Sequence, residues 1–349
     1  MSVMNTWDVI IAGSGIIGVS LALELQERGA RVLLLDRGEP GREASSAAAG
    51  MLAPADPETP AALRALARES ARLYPEFVDM LEDASGVKVD FRRQGTISLL
   101  PHAATPPHYQ KLSEGDLRRL EPAVRADGMA FFVQEDSVDP PLLMQAALIA
   151  ARKRGVEIRH NAEVSETRRA GNEIEVRAGR ELFRAKTAVN CRGAWAGTPV
   201  RPRKGQIFSL RPPQTAMLQH AIVAPDVYLV PRSSGKCVVG ATVEDVGYDK
   251  TVETSTIRDL HHAAAQLVPE LVLLPVLESW AGLRPGTPDN LPILGETEIP
   301  GIFIASGHFR NGILLAPVTA PIMANLIAGN PAGADISAFA PDRFAVARV

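Results

Sequence analysis

The chain opens on consecutive apolar residues, Val9-Ile10-Ile11-Ala12, a pattern that predicts a strand buried on both faces. Gly13-Ser14-Gly15-Ile16-Ile17-Gly18 follows without a break. Residues 19–28 then set Leu21, Ala22 and Leu25 on one side of a helix, which Gly29 ends. A second apolar strand over 31–35 stops at Asp36. The order is strand, glycine turn, helix, strand, acid.

Beyond this unit the periodicity is mixed. Residues 60–84 read as a helix with Leu63, Leu66, Leu73 and Phe77 on one face, and 94–100 as a strand. A helix over 140–154, closed by Gly155, precedes strands at 156–159, 173–176 and 187–190. From 206 to 246 the pattern is of antiparallel strands, with Ser233-Ser234-Gly235-Lys236 as a hairpin tip. The Pro- and Arg-containing stretch 198–204 reads as a connection, and 301–305 as a last strand feeding a helix after Gly312. Parallel-type units thus flank an antiparallel block. That order predicts an α/β dinucleotide domain interrupted by an α+β substrate domain, with the cofactor at the seam.

Composition narrows the class. At 349 residues, 46% hydrophobic and 22% charged, the chain suits one large or two linked globular domains. A net charge of −3 supplies no field for nucleic acid or an anionic membrane. Two cysteines, Cys191 and Cys237, build neither a disulfide framework nor a four-thiolate metal site, and His261-His262 reads as a solvated helix face, so no metal is expected. The most apolar stretch, 312–329, is interrupted by Pro317, Pro321 and Asn325 and falls short of the ~20 residues of a bilayer span. Residues 1–7 show no basic and then apolar leader pattern, so the cytoplasm is the expected compartment.

The opening unit carries specific chemistry. Gly13 permits a tight turn, Gly15 lets backbone approach a pyrophosphate, and Gly18 lets helix and strand pack closely. The helix N-terminus offers N–H groups and a positive dipole end to phosphates. Asp36, 18 residues beyond Gly18, is placed to accept the ribose hydroxyls of a dinucleotide. This motif leaves NAD and FAD both open. Three further segments favour a flavin: the tiny-residue run Ser45-Ser46-Ala47-Ala48-Ala49-Gly50-Met51-Leu52, the strand-to-glycine stretch 189–196, and the glycine-bounded turn 306–315. A helix start beneath a flavin stabilises the negative charge that develops on reduction.

These segments, together with Trp280-Ala281-Gly282-Leu283-Arg284-Pro285-Gly286-Thr287 and Tyr228-Leu229-Val230-Pro231-Arg232, resemble the D-amino-acid oxidase superfamily of FAD-dependent oxidoreductases, above all its glycine oxidase branch in bacterial thiamin biosynthesis. The resemblance runs from Val9 to about Ala328. It implies a Rossmann-like, glutathione-reductase-like FAD domain with a parallel sheet, over residues 1–85, 136–200 and 276–349. A substrate domain with an antiparallel sheet would take 86–135 and 201–275.

By the same resemblance FAD binds non-covalently, through Gly13, Gly15, Ile16, Ile17 and Gly18, with Asp36 and Arg37 at the ribose. Ala44, Ser45, Ala49, Gly50 and Met51 would line the flavin and pyrophosphate, and the Val164 backbone would meet the adenine. His308, Phe309, Arg310, Asn311, Gly312, Ile313 and Leu314 would wrap the isoalloxazine. Arg284 is the expected clamp for a substrate carboxylate, since guanidinium forms a planar fork that stays charged, with Tyr228 and Arg310 beside it as catalytic and substrate residues.

The implied reaction is oxidation of glycine or another small amino acid by hydride transfer to flavin N5, with O₂ as electron acceptor. A D-amino acid or an N-methyl amino acid such as sarcosine is the alternative substrate. A non-catalytic FAD-binding subunit is the alternative of another class. Relatives of this kind are commonly homo-oligomers. The chain departs from the family pattern at Ser14, at Arg192 beside the cofactor, at Val243 in the pocket and at 223–226 before Tyr228.

Overall fold

The computed structural model describes residues 6–100, 108–126, 128–212 and 218–344. Strand Thr6–Ala12 lies parallel to Val32–Leu35 on one side and to Glu181–Asn190 on the other. Strand Glu157–Arg159 extends this sheet beyond Val32–Leu35, and Ile302–Ser306 joins Glu181–Asn190 in parallel. Strands Val164–Ala170 and Glu173–Ala178 form an antiparallel flap at the other edge.

The opening strand is buried on both faces, as its uninterrupted apolar run requires. Val9 and Ile11 pack with helices Ile16–Glu27, Pro140–Lys153 and Gly312–Ile327, while Ile10 and Ala12 pack with the flap residues Val164, Ile174 and Val176. The first helix starts at Ile16, three residues ahead of the expected Val19, because Gly15 is extended (φ −70°, ψ 177°) and already serves as its N-cap. Helix Pro140–Lys153 is capped by the Asp139 carboxylate, which accepts from Leu142 N at 3.3 Å. In helix Arg64–Ser85 the buried stripe is Leu66, Ala67, Ser70, Tyr74, Val78 and Leu81. Leu73 and Phe77, expected on that stripe, sit at its margin.

The second sheet has eight strands, in the order Glu278–Gly286, Arg201–Leu210, Cys237–Gly240, Tyr228–Pro231, Ala221–Val223, Thr96–Leu100, Met129–Val133 and Gln110–Lys111. Every neighbouring pair is antiparallel except Ala221–Val223 with Thr96–Leu100, which is parallel. One face, with Ile97, Phe208, Leu229 and Val239, packs on helix Thr254–Leu267. The opposite face looks toward the first sheet. The stretch 198–204, expected as a connection, contributes Arg201–Lys204 to the longest strand of this sheet: Arg203 pairs with Arg284 and Gly205 with Gly282, and that pairing overrides weak local β propensity. Strand Glu278–Gly286 therefore belongs to the mixed sheet, although it follows the boundary expected at residue 276. Among the described residues no helix is long and apolar enough to cross a membrane. No group of three or more His, Cys, Asp or Glu among them could hold a metal ion.

Candidate functional site

Between the two sheets lies a cavity of about 630 Å³. Its floor is the inward face of the mixed sheet, and alternation along each strand selects the residues that reach it. Tyr228 pairs with Gly240, and Gly240 with Ile207, so these three form one row across neighbouring strands. Gly205 and Gly282 lie opposite each other farther along, with Arg284 two residues beyond Gly282. On the far strand Thr96, Ser98 and Leu100 face the same space.

The floor is low because glycines make it so. A Cβ on Gly282 would stand 2.6 Å from the Ala47 Cβ, and one on Gly240 would stand 2.7 Å from the Tyr228 hydroxyl. These glycines, Gly205 among them, line the cavity and were not singled out by motif reading. A glycine inside a strand signals close approach of another group, and that signal was available.

The roof and walls come from the first domain. Gly15, Ile16 and Ile17 open the first helix on the cavity, and Ile16 N donates to Ser45 Oγ at 2.9 Å. The segment carrying Ala44, Ser45, Ala49, Gly50 and Met51 lines the space. It is pinned to the mixed sheet by two bonds: Trp280 Nε1 donates to Ala47 O at 3.0 Å, and the buried Arg232 donates to Ala49 O at 2.5 Å. From the other side His308, Phe309, Arg310, Asn311, Gly312 and Ile313 enter the wall. Helix Gly312–Ile327 has no side-chain N-cap, so its first-turn N–H groups are available where this wall meets the cavity. Phe309 has φ 48°, an uncommon conformation for a bulky residue, in the turn that aims this helix start.

Several expected residues lie outside the cavity wall. Leu314 is buried in the core of the first domain, a consequence of helical rotation past Ile313. Gly13 and Gly18 act on packing. A Cβ on Gly18 would stand 2.0 Å from Gly13 O, and one on Gly13 would stand 2.3 Å from Cys191 O. Asp36 accepts from Ser14 N at 2.7 Å and from Gly38 N at 3.0 Å, holding the glycine turn to the tip of the second strand. Arg37 pairs with Glu43 at 2.7 Å and stacks on the Trp195 ring, 3.5 Å from its centroid. Val164 is buried, and its carbonyl accepts from Arg192 Nη1 at 3.1 Å. Arg192 therefore points toward the start of the Val164 strand, its Nε also donating to Asn190 Oδ1 at 3.1 Å.

Electrostatics concentrate at one end. Arg284 is half-buried, donates Nη1 to Thr242 O at 3.0 Å, and stands beside the Tyr228 phenol, whose charge interaction it feels. Burial lowers the Arg284 pKa and raises that of Tyr228, and each opposes the other's shift. A phenol carries one O–H donor, and Tyr228, lining the cavity beside this guanidinium, can offer it to an anionic ligand. Arg310 lines the same cavity with its guanidinium paired to Asp56 and Glu58. Burial lowers His308 to about 3, so its imidazole is neutral, and its Nε2 lies 3.3 Å from Thr319 Oγ1. Glu135, in the wall with Thr96 and Tyr109, is pushed up to about 7 by burial and by the Asp56 charge. Cys191 and Cys237 are buried free thiols raised to about 12.

A glycine-cradled cavity between a parallel-sheet domain opening on two helix N-termini and a sheet presenting a half-buried arginine defines a flavin-dependent oxidoreductase. The family model "FAD dependent oxidoreductase" matches residues 8–326, and the chain belongs to that family. It is 34% identical over 346 residues to the bifunctional protein ThiO/ThiG of Nostoc sp. strain PCC 7120, covering 92% of this chain and 53% of that one. The chain thus spans about half the length of the first curated relatives it matches. It is 33% identical to the glycine oxidase of Geobacillus kaustophilus, over 97% of both chains. The crystal structure of glycine oxidase from Geobacillus kaustophilus superposes with a TM-score of 0.92 at 32% identity, covering 97% of this chain and 99% of that one.

Proposed function

We propose that the protein oxidises glycine, or another small amino acid, to its 2-oxo acid and ammonia while reducing O₂ to H₂O₂, and that it does so in thiazole formation for thiamin. The observation that carries this reading is the half-buried Arg284 and Tyr228 side by side on a glycine floor, facing the segments that line the cavity. A protein that only stored FAD has no use for a carboxylate clamp. The names of the relatives support the choice of glycine.

The residues fit FAD. Side chains at Gly15 and Gly282 would intrude on the space beside Ser45 and Ala47, and two helix starts face the cavity. In this reading Gly13, Gly15, Ile16, Ile17 and Gly18 form the pyrophosphate turn, and Asp36 and Arg37 stand at the ribose. Arg192 joins Val164 at the adenine end, and residues 308–313 border the flavin. FAD supplies the acceptor for the hydride of the substrate α-carbon. Arg284 and Tyr228 hold the substrate carboxylate, which fixes where that C–H bond points. Arg310 borders the same space from the flavin side. The neutral His308 serves as packing and leaves no charge beside the substrate. Strand Glu278–Gly286 belongs with the substrate-binding half, and we place the protein in the cytoplasm.

Anaerobic mixing of the purified holoprotein with glycine, sarcosine and D-alanine in parallel tests this, with flavin absorbance as the readout. Bleaching by glycine that air reverses with release of H₂O₂ is expected. Bleaching by sarcosine or D-alanine alone would move the substrate, and no bleaching by any of the three would overturn the reaction.

A further inference from the structure

Behind the clamp lies a fully buried lysine that the proposed reaction does not use. Lys204 and Glu244 are joined by reciprocal backbone bonds, Lys204 N to Glu244 O at 3.0 Å and Glu244 N to Lys204 O at 2.9 Å. Lys204 Nζ stands 3.3 Å from Glu244 Oε2 and 3.8 Å from Asp249 Oδ2. The lysine side chain is 1% exposed. The other carboxylate oxygen, Glu244 Oε1, accepts from Gln206 Nε2 at 2.9 Å and from the Thr242 hydroxyl. Gln206 is itself fully buried, and its Oε1 accepts from Glu253 N at 2.7 Å.

This layer reaches the clamp through the backbone. Arg284 Nη1 donates to Thr242 O at 3.0 Å and lies 3.5 Å from Lys204 O, so both carbonyls that orient the guanidinium belong to the segment closed by the Lys204–Glu244 pair. Glu244 also attracts Arg284 through space. Without the lysine charge, Arg284 is a cation that this half-buried carboxylate would draw on, since the two already attract each other.

We propose that Lys204 is a positioning residue that keeps Glu244 occupied, so that the Arg284 fork stays free and correctly aimed for the substrate carboxylate. The inference rests on the carboxylate-clamp part of the reading above. It predicts a compensation that simple packing does not: removing both charges harms the clamp less than removing the lysine alone.

The test uses holoprotein and glycolate, which keeps the carboxylate of glycine and replaces its amine with a hydroxyl. Binding is read from the perturbed flavin spectrum. Lys204→Met should weaken glycolate by about tenfold or more, and Lys204→Met combined with Glu244→Gln should return to within about threefold of wild type. Unchanged affinity in Lys204→Met overturns the proposal, as does a double variant no better than the single one. If Lys204→Met does not accumulate with FAD bound, the double variant decides alone: near-wild-type affinity supports the proposal and a tenfold loss, about 1.4 kcal/mol, overturns it. Wild type that binds glycolate but is not bleached by any of the three amino acids defeats the proposed reaction and leaves this test in force. Wild type that is bleached by glycine but does not bind glycolate overturns this proposal with the carboxylate clamp and leaves the reaction standing.

Discussion

The guanidinium of Arg284 lies against the backbone of Gly205, where a Cβ would stand 2.3 Å from Nη1 and 2.5 Å from Cζ. The two residues sit on neighbouring strands, with Gly205 paired to Gly282 and Arg203 to Arg284. Any side chain at 205 must displace the fork. Gly205→Ala is expected to raise the apparent KM for the amino-acid substrate about tenfold or more with FAD content unchanged. Arg284→Ala, which removes a half-buried charged partner of the substrate carboxylate, should cost about 3 kcal/mol, on the order of a hundredfold in KM. Steady-state kinetics beside flavin absorbance at saturation checks both. Unchanged KM in Arg284→Ala removes it from the clamp.

At the opposite end of the cavity, Gly15 begins the first helix with its Cα facing the space, and a Cβ there would already lie 3.1 Å from Ser45 Oγ. Gly15→Val should exclude the pyrophosphate and yield folded but largely colourless protein. The ratio of flavin to protein absorbance after gel filtration measures this. Stoichiometric flavin in the variant would mean that the phosphates lie elsewhere.

Arg310 reaches the cavity already paired to Asp56 and Glu58. A substrate carboxylate must compete with those two acids for the guanidinium. Removing the competition with Asp56→Asn and Glu58→Gln together should tighten glycolate binding about threefold, a modest gain because the pair is partly exposed. Weaker binding in the double variant would show that the acids shape the cavity rather than withhold the arginine.

Glu135 couples the site to pH. Its carboxyl rises from 4.5 to about 7, chiefly through burial, with Asp56 and Asp136 adding negative charge against hydrogen bonds from Ala55 N and Thr96. A carboxyl raised in the folded state binds its proton more tightly there than in the unfolded chain. Its contribution to stability is therefore full below pH 4.5 and is lost as pH rises through about 7. The loss is on the order of 3 kcal/mol. Glu135→Gln should flatten the decline of the thermal midpoint across that interval and leave the variant more stable than wild type above it. Parallel pH curves for the two proteins would show that Glu135 does not ionise there.

The mixed α/β fold and its opening strand, glycine turn, helix and strand were legible in the residues themselves. An apolar run, three glycines, a helix and an acid at a strand tip act over short distances, so their spacing along the chain is their spacing in space. The tiny-residue run at 45–52 and the turn at 306–315 were read as places where backbone meets a flat ligand, and residues of both line the cavity. Leu314 was included by contiguity, and helical rotation turns it into the core.

The chain alone thus determined the glycine turn and the elements that flank it, and the family resemblance marked Arg284 and Tyr228, which line one cavity. What it left open was who stands beneath them. Gly205, Gly240 and Gly282 become a floor, Arg201–Lys204 becomes a strand, and Lys204 meets Glu244 only because antiparallel pairing brings distant positions into register. Local pattern follows from residues a few positions apart, where backbone geometry allows few outcomes. Cross-strand neighbours depend on a register set by burial of a whole sheet face, so only the tertiary structure decided them.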